Sequence, residues 1–389
     1  MKHSLLFFLC LWRMIYLYSQ CSLTSELNKF RVNDTIVKQQ IEYKAPGRSG
    51  KDVLWDFGKL SPINKKYTLI YSARKGVDSM IVGREHHTRY YYDWQKDSVW
   101  LWGFENSTTQ IENSKPELLL QLPMHYGDKV QGYYQGEGKY CGRLHISTVG
   151  RNTTEADAYG MIILPGKDTL KHVLRIKMTK LISETISPLK VLSENMNTPT
   201  YRILPEDSID NIIRQNERTI IVETYQWYAS GYRYPIFETI RTGHLSDSLK
   251  TAYFSTAFFY PPGKHMYLQS DTANLDLQKK ILADTVHKNE KDDHKSQDNS
   301  NDLPLDFSYN VYPTPVQTEL TFEFYLSDYA AISYRLYNIA GQQLTHYTVK
   351  NYPGGVYQHY IDMDKYPKGE YILQICVNEK VFSEKIIKG

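Results

Sequence analysis

Glu85-His86-His87 brings three metal-ligating side chains together in sequence. Adjacent residues of a strand point to opposite faces, so both imidazoles serve one ion only across a bulge, and no metal site is expected there. Cys141 and His145 are a thiol and an imidazole, but four residues of strand span about 13 Å, which keeps them from acting as a local pair. Gly136-Glu137-Gly138-Lys139 imitates a phosphate-binding loop, yet the glycine spacing is too short and Tyr140 stands where Ser or Thr must reach a metal. That segment reads as a hairpin turn. No Gly-x-Ser-x-Gly elbow occurs, so an esterase nucleophile has no support. A glycosidase's carboxylate pair is defined by spatial separation and leaves no mark in sequence order. No catalytic residue, cofactor or metal is therefore assigned.

One stretch stands out for binding. Tyr225, Trp227, Tyr228, Tyr232 and Tyr234 crowd around a hairpin signal at Ser230-Gly231. Exposed, these rings would make a platform for sugar rings or a protein partner. The reading we favour is an aromatic ladder covering one face of a sheet.

Stepping from these residues to the elements that carry them, the composition points to antiparallel sheet. Of 389 residues, 33 are tyrosine against 13 phenylalanine and 6 tryptophan. Tyrosine forms strands and keeps a wet tip, which suits half-exposed antiparallel strands. Between Leu174 and Thr179, apolar Leu174, Ile176 and Met178 alternate with polar residues, the period of a strand with one wet face. Further strands are expected at Tyr67–Tyr71, Ser98–Phe104, Leu118–Leu122, Met161–Leu164, Thr219–Tyr228, Tyr232–Ile240 and Tyr253–Tyr260, with one helix at Ser208–Gln215. The pattern predicts an all-β passenger, a large antiparallel β-sandwich or open barrel, over 22–270. A net charge of +3, without a dense basic stripe, makes nucleic acid an unsuitable partner.

The N-terminus predicts an export signal over 1–20: Lys2, then apolar Leu5–Leu11, then polar Ser19-Gln20. Arg13 leaves the apolar run short of the roughly 20 residues that span a bilayer. At the other end, His287–Asp302 contains no apolar residue. Such a tract buries too little surface to offset its ordering entropy, which predicts a flexible polar linker over 271–302. Cys141 and Cys376 sit in strand-like runs and read as small buried hydrophobes.

Residues 303–389 carry a different pattern. Leu320, Phe322, Phe324 and Leu326 alternate with polar neighbours, as do Ile332, Tyr334 and Leu336, then Tyr371, Leu373, Ile375 and Val377. Short strands bounded by Gly, Pro and Asn suit a small immunoglobulin-like sandwich. The segment opens with Tyr312-Pro313-Thr314-Pro315, turns at Leu336-Tyr337-Asn338-Ile339-Ala340-Gly341-Gln342, resumes with Gly369-Glu370-Tyr371, and closes on a Lys-rich strand that includes Lys385. This order resembles the C-terminal sorting domain of type IX secretion cargo from Bacteroidota. It departs at Thr314, where the family has Asn, and the resemblance covers about a fifth of the chain. The resemblance implies export through the periplasm to the cell surface or the medium. It also implies an outer-membrane translocon and a sortase-like protease as partners, with attachment to surface lipopolysaccharide as a further outcome. What the passenger does stays open: a binding or envelope-structural module is the first reading, a secreted hydrolase of glycans or peptides or an open barrel for an apolar ligand the alternatives.

Overall fold

The computed structural model describes residues 22–74, 76, 79–166, 168–189, 202–247, 252–289, 307–378 and 380–389. The expected signal, 1–20, and residues 290–302 of the polar tract lie outside the described residues.

Alternating side chains and turn residues divide the first two thirds of the chain into β1 Thr35–Ile41, β2 Gly50–Asp56, β3 Pro62–Ala73, β4 Met80–Glu85, β5 Thr88–Gln95, β6 Ser98–Glu105, β7 Thr109–Gln121, β8 Lys129–Tyr140, β9 Leu144–Ile163, β10 Thr169–Pro188, β11 Ile220–Ala229, β12 Phe237–His244 and β13 Phe254–Phe259. They hydrogen-bond in the order β10-β11-β12-β13-β1-β3-β4-β5-β6-β7-β8-β9. β9 then pairs back onto β10, from Thr169↔Ile163 to Pro188↔Leu144. Twelve antiparallel strands thus close into a barrel, where the sequence had left a sandwich or an open barrel. Closure follows from β9 and β10, each 20 residues long. That length lets β9 pair with β8 through residues 144–155 and with parallel β2 through residues 158–163, while β10 lies along its other edge.

Three clusters hold the barrel together. Inward residues from around the ring, among them Ile36, Tyr71, Ile81, Trp94, Leu120, Leu174 and Phe258, pack in one lumenal cluster. Outside the wall, Trp55 and Phe57 cover Trp227, Phe237 and Phe259. The helix α2, Glu206–Gln215, lays Ile209 and Ile213 on Val149 and Leu181. Its acidic first turn and Arg214 in its last turn match the helix dipole. The expected helix at Ser208–Gln215 is this element, two residues longer at its start.

A closed barrel has two mouths. The turns at 96–97, 122–128, 164–166 and 230–236 surround one of them. It is stoppered by α1, Ser25–Asn28, and by the segment leading into α3, Thr272–Asn289. Arg233 is buried there and grips Asp271 with two bonds of 2.7 Å, while its Nη1 donates to the Lys29 carbonyl at 2.9 Å. This anchoring is why the second strand of the expected hairpin begins at Phe237 and not at Tyr232. It also moves the start of any linker: residues 272–289 are helical, where a slack tether from 271 was expected.

The remaining strands are β14 Phe307–Tyr312, β15 Glu319–Leu326, β16 Ala330–Asn338, β17 Gln343–Tyr352, β18 Gly355–Asp362, β19 Gly369–Val377 and β20 Lys380–Lys388. They form sheets β14-β15-β18 and β17-β16-β19-β20, a small sandwich whose core includes Leu320, Phe322, Phe324, Ile332, Leu336, Leu373 and Ile375. It sits on the second mouth, ringed by the hairpins at 86–87, 106–108 and 141–143.

His265, in the first stopper, reports on its burial. Its ring nitrogens meet the Tyr260 carbonyl at 3.1 Å and the Tyr267 hydroxyl at 2.8 Å. Burial pulls its pKa down to about 4, with the Tyr260 carbonyl opposing. The unfolded imidazole titrates near about 6.5. Between those values the unfolded chain binds more protons than the folded one. The stability this neutral imidazole supports is therefore complete above 6.5 and is lost as pH falls toward 4, by about 3 kcal/mol in all. His265→Gln is expected to flatten the dependence of the thermal midpoint on pH between 7 and 4.5; an unchanged slope in the variant would contradict this account.

Candidate functional site

The aromatic stretch does not form one surface. Strand alternation turns Tyr225 and Trp227 outward and Tyr228 inward, and the loop carries Tyr232 and Tyr234 to the first stopper. Trp227, Tyr228 and Tyr234 are 0%, 6% and 2% exposed. Trp227 meets Trp55 and Phe57 edge-on, with centroids at 5.9 and 5.3 Å. The Arg175 guanidinium lies 5.0 Å from the Tyr225 ring and is paired with Asp157 at 2.7 and 2.8 Å. Tyr232 packs on His265, and the Tyr234 hydroxyl donates to Asp34 at 2.9 Å. An exposed platform at these positions is thus replaced by wall packing, lumen filling and a plug.

The other sequence candidates also resolve. His86 and His87 are the two central residues of the β4–β5 hairpin, with φ of +46° and +60°, the two left-handed positions of a type I′ turn. Among the described residues no group of three His, Cys, Asp or Glu is placed to hold a metal. Gly136 and Gly138 lie within β8, not in a turn. A Cβ at Gly138 would fall 1.7 Å from the Gln110 carbonyl oxygen, so glycine there permits β7 and β8 to approach. The turn comes after them, at Cys141 (φ +52°), which is half-buried and not a strand residue. His145 pairs instead with Glu137 at 3.1 Å.

The lumen holds charges that the sequence did not single out. Lys38 is buried, ion-paired with Glu85, and lies 5.0 Å from the rings of Phe258 and Tyr260. Burial pulls the Lys38 pKa down, but the carboxylates of Glu85 and Glu238 outweigh it and the net shift is upward. Burial likewise opposes ionisation of Glu85, yet Lys38 and His86 hold its pKa at about 2. Glu238 is raised by burial and is bonded by Gln226 at 2.6 Å. Nearer the second mouth, Tyr67 donates to both oxygens of Glu384 at 3.2 Å, and Tyr309 donates to the same carboxylate at 3.2 Å. Burial raises the pKa of Glu384. A cleft of about 220 Å³ opens beside it, lined by Tyr309, Asn310, Val311 and Tyr312.

The terminal sandwich places its recurrent residues in two groups. Tyr312 is exposed, its hydroxyl donating to Glu323 at 3.3 Å and accepting from Gln358 at 2.9 Å. Pro313 and Pro315 flank Thr314, whose hydroxyl accepts the Ile387 N–H at 3.3 Å. Val316 then donates to the Ile387 carbonyl at 2.8 Å. The substitution at Thr314 thus fastens the opening phrase to the last strand. Asn338 builds the β16–β17 turn: its carboxamide oxygen accepts Gln342 N–H at 2.9 Å, and Gly341 turns at φ +76°. The Tyr371 hydroxyl donates to the Pro367 carbonyl at 2.5 Å, and Lys385 pairs with Glu370 at 2.8 Å. Gly369 lies against the barrel, where a Cβ would meet the Tyr140 hydroxyl at 2.1 Å.

Residues 310–389 match the family described as secretion system C-terminal sorting domain. The match supports a type IX secretion cargo protein. No curated protein matches the chain. Among solved structures, dimeric latent PorU from Porphyromonas gingivalis is similar at 8% identity and a TM-score of 0.22. That likeness covers 92% of this chain and 34% of the other, so the chain spans about a third of that protein; a likeness this weak carries no argument.

Outside the sorting domain, the residues missed in the sequence had a signal. Ile36, Lys38 and Gln40 alternate with Val37 and Gln39 in one strand, a polar pair continuing an apolar stripe. Lys38→Ala is expected to strand Glu85 and Glu238 without their cation and to cost about 3–5 kcal/mol. Lys38→Met combined with Glu85→Gln is expected to regain much of that loss. Urea denaturation midpoints check both; a single variant as stable as the parent would refute the pairing.

Proposed function

We propose that this chain is an exported protein, displayed at the cell surface or released, whose barrel is a binding or envelope-structural module rather than an enzyme. The observation that carries export is the sorting-domain match over 310–389. The division proposed is a signal over 1–20, a passenger over 22–270, a polar linker over 271–302 and a sorting domain over 303–389 of immunoglobulin-like build. The Tyr371–Pro367 contact, a tyrosine hydroxyl reaching a carbonyl just upstream of its own strand, supports that build. The partners are then an outer-membrane translocon and a sortase-like protease, with lipopolysaccharide attachment following cleavage. A non-enzymatic barrel is supported by its lumen: the inward side chains of the ring pack together, and Glu85 and Glu238 are taken up by Lys38 and Gln226.

One observation favours the second reading, a hydrolase. Glu85 is held at about 2 while Glu238 is raised in the same lumen, the divergence expected of an acid–base pair. Glu238→Gln separates the two, since a hydrolase would lose at least about a hundredfold in rate and a binding module would lose no activity.

In a host with type IX secretion, the full chain is expected outside the cell, and the chain lacking 303–389 in the periplasm. Equal distribution of the two by cell fractionation would refute the export reading.

A further inference from the structure

Four polar side chains on the outward face of the sheet β17-β16-β19-β20 are nonetheless buried. Ser333, Glu370, Gln374 and Ser383 are 8%, 6%, 6% and 2% exposed. Alternation points them away from the sandwich core, which takes Tyr371, Leu373 and Ile375 from the same strand. The second mouth of the barrel meets three of them, Glu370, Gln374 and Ser383. One Glu370 oxygen accepts from Asn106 at 2.5 Å, Thr108 at 3.2 Å and Thr109 at 3.3 Å, and the Glu370 N–H donates to the Tyr140 hydroxyl at 3.2 Å. Gln40 donates to the Ser383 carbonyl at 3.1 Å, Ser255 N–H to the Ser383 hydroxyl at 3.3 Å, and Gln374 to the Tyr253 carbonyl at 3.3 Å. Lys380 pairs with Glu42 at 2.8 Å, and Cys141 donates to the Lys368 carbonyl at 3.0 Å.

We propose that the barrel mouth is a receptor for this face of the sorting domain, so that the passenger holds its own tail by polar docking and covers Gly341 and Gly369 until the contact breaks. Three features carry the assignment. The contact uses Glu370, Gln374 and Ser383 on this face, with Glu384 reaching Tyr67 from the other side of β20; none of these is a recurrent residue of the sorting pattern, so the barrel reads positions that the pattern leaves free. It also reaches the recurrent residues. The Gly341 Cβ position lies 2.6 Å from the Tyr253 ring, the Gly369 position 2.1 Å from the Tyr140 hydroxyl, and Lys385 is tied to Glu370, the centre of the contact. Finally, its chemistry, hydrogen bonds and ion pairs beside a small apolar contact made by Ile63 and Tyr253, suits release. Buried hydrogen-bonding groups at a non-obligate interface return to water when it opens, while their pairing fixes register and partner when it closes. Any outside partner that reads the Gly341–Gly369 side must displace the barrel first. The contact stands whether or not the tail is an export signal.

The test uses the full chain with a specific protease site inserted within 290–302 and cut after folding. The two fragments are expected to co-elute at micromolar concentration. Glu370→Ala is expected to raise their dissociation constant about thirtyfold or more, as truncating one side of a buried charged contact does. Asn106→Ala, on the barrel side, is expected to weaken the same contact and decides the matter if the Glu370 variant does not fold. Tyr360→Ser, on the opposite sheet, is expected to change nothing. Fragments that separate freely at micromolar concentration, or an Asn106→Ala variant that binds as tightly as the parent, would overturn the proposal.

Discussion

The pairing of β9 with β10 is the constraint on which the rest of the passenger depends. Without it the ladder from β10 round to β9 would be an open sheet with two long edges, each a template for unwanted strand addition. With it, every inward side chain faces another across a shared lumen, and the two ends become mouths that must be filled. The N-terminal segment, the Arg233–Asp271 grip and α3 fill one; the terminal sandwich covers the other.

Closure also explains the buried charges. A lumen this wide is not filled by aliphatic residues alone, and tyrosines with a few ionised groups complete it. The Lys38–Glu85 pair is tolerable only because each partner meets the other and the aromatic rings of Phe258 and Tyr260 flank the ammonium. The same logic governs the sandwich contact. Glu370 is buried at little cost because three side-chain donors and one lysine share its two oxygens.

Much of this was legible in sequence, and the failures have physical causes. Each strand named in advance overlaps a real one, although that expected at Tyr232–Ile240 starts only at Phe237, because period-two alternation is a local property. The sandwich was legible down to its turns, since a carboxamide at Asn338 to accept the Gln342 N–H and a left-handed Gly341 are what this tight turn requires. Ring closure was not legible: it depends on which distant strands meet, and no local pattern encodes the β9–β10 register. The aromatic stretch misled because a strand spanning both a lumen and a covered outer face buries both of its sides, so Trp227 and Tyr228 look alike in sequence and lie on opposite sides of a wall. His86-His87 misled for the opposite reason, two left-handed residues forming a turn without glycine. The sandwich contact had no sequence signal, because polar residues on an outward face read as solvated.

The position of β1 in the ring has a consequence for biogenesis. It sits between β3 and β13, and Gln39 pairs with Phe259 across 220 residues of chain (259 minus 39). A chain emerging from the ribosome N-terminus first therefore presents β1 with only one of its two neighbours until nearly the whole barrel sequence has been made. Hairpins can zip as they appear, but the hoop cannot be fastened until its final stave arrives, so ring closure comes last in assembly. Contacts of such long range are slow to form, and until then β1 keeps one edge unpaired.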